Sequence, residues 1–205
     1  MLGLPKATEL AKALPKKAIY DRFKPSPTDR KLFDEQINRM SIVHEISPQT
    51  VAIKESAGVS AVYVVLVALK TTECDKKNIV LLSKLIDQRM LFVLQSEDTA
   101  RLAVYRAEKV LMSESKPLAD WKLSLNGLDL EAVWENIIAQ IGGIDLTDGV
   151  DLDVTIAENS RKEKLLKQIA ALEKKAMAER QPRRKWELAE EIRRLKIELG
   201  GTSNE

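Results

Sequence analysis

The stretch AVYVVLVALK, residues 61–70, is apolar at nearly every position and carries four valines. A strand with one wet face alternates apolar and polar residues, whereas an unbroken β-branched run marks a strand covered on both faces. Residues 61–70 therefore read as a central strand. The segments C-terminal to it supply its neighbours. Residues 78–88 form an amphipathic pattern that places Ile79, Leu82, Leu85 and Ile86 inward, and 90–95 (MLFVLQ) is a second buried strand. A polar turn at 96–99 leads into 101–106, where Leu102 and Val104 point one way and Ala103 and Tyr105 the other. Weaker strands are expected at 110–113 and 121–125.

Upstream, Leu32, Phe33, Ile37 and Met40 fall on one helical face, which predicts a helix over 29–39 with Thr28 as its N-cap. Two short strands, 41–45 and 50–54, are expected to turn at Ser47-Pro48. Residues 1–27 are interrupted by Pro5, Pro15, Pro25 and Pro27, leaving room for at most one short helix, 8–14. Downstream, Leu130, Val133, Trp134, Ile137, Ile138 and Ile141 recur at helical spacing, and Gly142-Gly143 ends that helix. The segment 142–160 lacks helical periodicity and reads as a linker. The fold class is α/β (α+β): a mixed-sheet core followed by a helical hairpin.

The C-terminal segment repeats one spacing twice. Leu165, Ile169, Leu172 and Ala176 step by 4, 3 and 4, as do Leu188, Ile192, Leu195 and Leu199. A single continuous heptad would put Glu179, Arg183, Glu190 and Arg193 on the seam, so the phase breaks between the two ladders. Pro182 sits in that break, where proline suits the first turn of a new helix. Two antiparallel helices packed seam to seam satisfy all of this; one kinked helix is the alternative. The expected organisation is a basic arm (1–27), a body (28–143), an acidic linker (144–160) and a hairpin (161–199).

Charge follows the same divisions. Residues 1–31 hold eight Lys/Arg against three Asp/Glu, 32–160 hold twelve against twenty, and 161–199 hold thirteen against seven. An acidic body thus lies between basic ends, which either reflects solvated helix faces or marks contact with an acidic partner. The single cysteine, Cys74, excludes an intramolecular disulfide. No signal-peptide pattern opens the chain and no apolar run approaches membrane length, so a cytoplasmic location and no membrane contact are expected.

The chemistry is sparse. His44 is the only histidine, so a zinc site of the usual N/S kind is excluded, and nothing near it resembles a nucleophile motif. The glycines form no phosphate-cradling loop. Asp145, Asp148, Asp151 and Asp153 do not match the spacing of a calcium loop. The order helix, three strands, helix, strand is similar to the core of restriction-endonuclease-like folds, which hold Mg²⁺ on strand acids beside a lysine. Lys70 fits the lysine, but Ala68 stands where an acid is needed and Glu55 has no partner acid. No catalytic residue, cofactor or metal is expected.

The segments MLGLPKATEL (1–10), LPKKAIYDRF (14–23), EISPQTVAI (45–53), LSKLIDQRMLFVL (82–94) and GLDLEAVWENIIAQIGG (127–143), with the hairpin, resemble a bacterial family. It is the domain-of-unknown-function family 4391, and the likeness runs from residue 1 to about 199. The resemblance implies a bacterial cytosolic protein encoded beside helicases and DNA methyltransferases in restriction and phage-defence islands. It carries over no catalytic residue. The hairpin separately looks like the short helical hairpins by which excision-repair proteins dock partners. The expected function is a non-catalytic accessory subunit of a DNA-processing or phage-defence assembly. Its body and hairpin would dock a helicase, a methyltransferase or a second copy. The alternatives are a nucleic-acid-binding module using Arg183, Arg184, Lys185 and Trp186 at the hairpin tip with Lys16 and Lys17, and a divergent nuclease.

Overall fold

The computed structural model describes residues 1–56, 58–145 and 151–201. It divides into two units, Met1–Thr147 and Asp148–Glu205. The first unit opens with strand β1 (Glu9–Ala13) and helices α1 (Lys16–Phe23) and α2 (Pro27–Gln36). Strands β2 (Ile37–Ile46) and β3 (Val62–Leu69), helix α3 (Lys76–Ser83) and strands β4 (Arg89–Ser96), β5 (Thr99–Arg106), β6 (Lys109–Met112) and β7 (Lys116–Pro117) come next. Helix α4 (Leu130–Gly142) comes last. The sheet runs β1-β2-β3-β4-β5-β6, with β7 also paired to β5. Among these strands β3 and β4 pair in parallel, and the other pairings are antiparallel. This is an α+β fold on a mixed sheet.

The valine run is central, as its composition demands. Val65 and Val67 of β3 join Met40, Ile42, Phe92, Leu94 and Ala103 in one core, which Ile19 of α1, Phe33 of α2 and Ile79 and Leu82 of α3 complete. The alternate positions Leu91, Val93, Leu102 and Val104 are equally buried on the opposite face. There α4 packs on β5 and β6, burying Val133, Trp134, Ile137 and Ile138. Each such side chain contributes about 1.5–3 kcal/mol on leaving water. The β5–β6 hairpin turns through two residues, Ala107 and Glu108, with φ of 48° and 60°; both are left-handed.

Several expectations need correction. Residues 9–13 form an edge strand, not a helix, because β2 offers them an unpaired edge. The first 27 residues therefore belong to the body, and Ile19 is fully buried. Helix α2 starts two residues early, since Ser26 rather than Thr28 accepts from the Asp29 N–H and Pro27 takes the first helical position. It also ends early. Residues 37–46 make one ten-residue strand that pairs directly with β3, and 50–54 form no strand. Thr50 instead folds back, its hydroxyl donating to the Glu45 carbonyl at 2.8 Å. Residues 121–125 are not a strand either; Trp121 is held by its Nε1–H donating to the Ala100 carbonyl at 2.9 Å.

The second unit holds α5 (Leu152–Ala178) and α6 (Pro182–Gly201), packed together. Arg161 and Glu198 meet at 2.7 Å, and Glu173 meets Lys196 at 2.7 Å. A straight helix would put Arg161 and Glu198 about 55 Å apart at 1.5 Å per residue, so α6 must run back along α5. Helix α5 begins inside the stretch expected to be linker. Asp151 caps it, accepting from Asp153 N–H at 2.8 Å and Val154 N–H at 3.4 Å, and Asp153 in the first turn suits the helix dipole. Two of the four aspartates are thus helix-start signals. Asp148 lies outside the described residues.

Candidate partner-contact surface

The residues of the two ladders are the less exposed ones along the helix pair. Leu165 and Ile169 are buried, and Leu172, Ala176, Leu188, Ile192, Leu195 and Leu199 are half-buried. Between the helices, Glu179 ties the turn, its carboxylate accepting from the N–H groups of Arg180 at 2.8 Å and Gln181 at 2.9 Å. These bonds to the ionised form, with Arg184 nearby, hold the Glu179 carboxyl below its usual range. Pro182 then opens α6 without requiring an N–H donor.

The tip residues all face water. Arg183, Arg184 and Lys185 are exposed, and Arg183 reaches Glu187 one turn on at 3.3 Å. Arg184 lines a shallow depression of about 510 Å³ with Lys175, Glu179, Glu187 and Glu191. Trp186 is 66% exposed, so it is not packed between the helices. Sequence reasoning passed over three residues of the same kind: Leu166 (53% exposed), Met177 (85%) and Ile197 (68%). The signal was available, because each stands one or two positions out of phase with its ladder. Leu166 and Met177 are eleven residues apart on α5, and Trp186 and Ile197 eleven apart on α6. Eleven residues are three turns, so each pair marks one outward stripe.

Lys16 and Lys17 sit on α1, in the first unit, and differ from each other. Lys17 is exposed. Lys16 donates to Asp34 at 3.0 Å and to the Ile37 carbonyl at 2.5 Å, so it is an internal support rather than a free contact cation. Tyr20 donates to the same carboxylate at 2.7 Å. The Tyr20 and Lys16 hydrogen bonds depress Asp34, while burial and the Asp34 charge push Tyr20 far up.

The remaining candidates are structural in their contacts. Thr8 Oγ1 donates to the Pro5 carbonyl at 2.7 Å and lies 2.9 Å from His44 Nδ1, which assigns the proton on that nitrogen to His44. Burial, the largest cause, holds the His44 pKa below its ordinary value. Lys70 Nζ donates to the Asp34 main-chain carbonyl at 2.8 Å. Burial raises the Cys74 thiol to about 11. Among the described residues, no three His, Cys, Asp or Glu side chains gather as a metal site requires. No helix among them is long and apolar enough to cross a membrane.

Comparison with curated proteins and with solved structures returned no match for the chain. The sheet and the hairpin, whose residues run almost from end to end, are instead covered by a single family model over residues 2–199, and the chain belongs to that family, Domain of unknown function (DUF4391).

Proposed function

We propose that the protein is a non-catalytic interaction subunit of a bacterial DNA-processing or phage-defence assembly, and that its hairpin is the docking element. One observation carries the reading: Leu166, Met177, Trp186 and Ile197 stand exposed in two stripes outside a seam the hairpin already fills. A helix pair needing only its own stability would place charge there. Exposed aromatic and Met side chains beside arginines have the composition of an interface core and rim. The family's association with helicase and methyltransferase genes supplies the class of partner.

The body suits the same reading. Its order α2-β2-β3-α3-β4, with β3 and β4 parallel, supports a degenerate restriction-endonuclease-like frame, one strand shorter than the sequence pattern suggested. Ala68 replaces the acid, and Lys70 is spent on a main-chain carbonyl. The test is co-expression with the neighbouring helicase or methyltransferase and measurement of the complex by light scattering. Met177→Glu with Trp186→Ala should abolish the complex while circular dichroism stays unchanged. A complex that survives both substitutions sinks the reading.

Nucleic acid is the second reading, favoured by the exposure of Trp186 beside Arg183, Arg184 and Lys185. Fluorescence anisotropy across a salt series separates the two. Phosphate contacts give salt-dependent binding that Arg183→Glu/Arg184→Glu weakens on every sequence. Base stacking prefers single strands, and Trp186→Ala then costs about 1–3 kcal/mol.

A further inference from the structure

The first unit carries a polar cleft of about 500 Å³ that no part of the docking reading uses. It lies beside the N-terminal ends of β3 and β4, lined by Ser60, Asp87, Gln88, Arg89, Tyr105 and Trp134 among others. These residues come from the approach to β3, the α3–β4 connection, the start of β4, β5 and α4, so the sheet holds them together from distant parts of the chain.

Among the polar lining residues, Ser60, Asp87, Gln88 and Arg89 are exposed and Tyr105 is half-buried. Neither the Arg89 guanidinium, the Tyr105 hydroxyl nor the Asp87 carboxylate has a hydrogen-bond or ion-pair partner among the described residues. Trp134 is 1% exposed, yet its indole N–H is buried with no acceptor among the described residues. A buried donor left open is rare in native proteins and calls for an explanation. Ser60 donates to Gln88 Oε1 at 3.0 Å, which leaves the Gln88 NH₂ group as a donor without a partner among the described residues.

We propose that this cleft binds a small phosphate-bearing ligand of mononucleotide size. Arg89 offers planar paired donors suited to phosphate, and Tyr105 and Gln88 add neutral donors. Asp87 is the discriminating group. A bare oxyanion would meet its negative charge, whereas a phosphorylated sugar would bring hydroxyl donors to it. The apolar side chains of Ile86 and Met90, which also line the cleft, suit a flat or apolar remainder. The ligand must therefore carry an anionic end, a hydroxyl-bearing middle and some apolar surface.

The probes are AMP, adenosine and inorganic phosphate, titrated into the full chain by calorimetry with tryptophan fluorescence in parallel. AMP binds saturably, and phosphate alone and adenosine each bind at least about tenfold more weakly. Arg89→Ala lowers AMP affinity about tenfold or more and leaves adenosine unchanged; Asp87→Asn weakens AMP and adenosine but not phosphate. Tyr105→Phe, which keeps the ring, weakens AMP by a few-fold at an unchanged melting temperature. Saturable AMP binding that both Arg89→Ala and Tyr105→Phe leave intact overturns the assignment, as does absence of AMP binding at millimolar concentration. The hairpin variants bind AMP like the wild type, so this result is independent of the docking reading.

Discussion

The sheet unit and the hairpin reach stability by opposite routes. In the first, pairs such as Leu91 with Val104 and Val62 with Ile46 sit far apart in sequence and are sealed from water on both faces. In the second, the residues of each ladder are three or four positions apart, and most remain half-exposed. Charge does there what burial does in the sheet: Arg161–Glu198 and Glu173–Lys196 clamp the helices across the seam, at exposures where a pair is worth about 0–1 kcal/mol. Stability built from such small terms leaves the outer faces free to vary, and that is where the unpaired apolar stripes are found.

The sharpest break in this contrast is a cavity in the sheet. Phe92 is fully buried, and Phe92→Ala should cost about 3–5 kcal/mol and lower the main thermal transition. A melting temperature that barely moves would mean the sheet core is not the stability centre.

Next in size is the seam. Ile169→Asp with Ile192→Asp should loosen the hairpin, reducing helical dichroism and speeding amide exchange over 152–201, while exchange in β3 and β4 stays slow. Equal acceleration in the strands would show the two regions to be one cooperative unit.

A smaller effect separates them by pH. His44 is held below its ordinary pKa in the fold, so the unfolded chain takes up its proton first as pH falls. Its contribution is complete above the unfolded value near 6.5 and is lost as pH drops through the lower folded value. Denaturant melts should show this acid loss in the sheet unit, and His44→Gln should remove it. A wild-type and variant that share one acid profile would refute the assignment.

The smallest effect belongs to the tip. Arg183→Glu with Arg184→Glu should change stability by no more than about 0.5 kcal/mol, since both are exposed and make no core contact. A larger loss in the thermal melt would mean that the tip is a structural element.

How far each region was legible depends on the same contrast. The central strand, α4 and the seam ladders could be read because their signals are local and repeated. β1 could not: Glu9–Ala13 is exposed except for half-buried Leu10 and is helix-permitting, and the vacant edge of β2 makes it a strand. β2 was read short because Ile37 and Met40 also fit the apolar face of a helix, so 37–39 were given to that helix, whereas pairing with β3 sets the strand's true length. The start of α5 was hidden by aspartates read as solvated linker rather than as a cap. Of the candidate surface, exposed cations were visible in the sequence, but the commitment of Lys16 to Asp34 depends on α1 and α2 meeting in three dimensions. The polar cleft left no trace, because its residues are scattered from 56 to 134.

The two-residue turn between β5 and β6 shows that this fold has not been tuned to its stability limit. A turn of this geometry favours Asn-Gly, and Ala107 and Glu108 each bear the steric penalty of a left-handed backbone, about 1–2 kcal/mol for an ordinary residue. Ala107→Asn with Glu108→Gly would relieve much of that load at a site remote in sequence from the helical appendage. The chain thus keeps a reserve of robustness, available to an engineer or to selection, that could absorb destabilising changes elsewhere while its outer surfaces acquire new specificity.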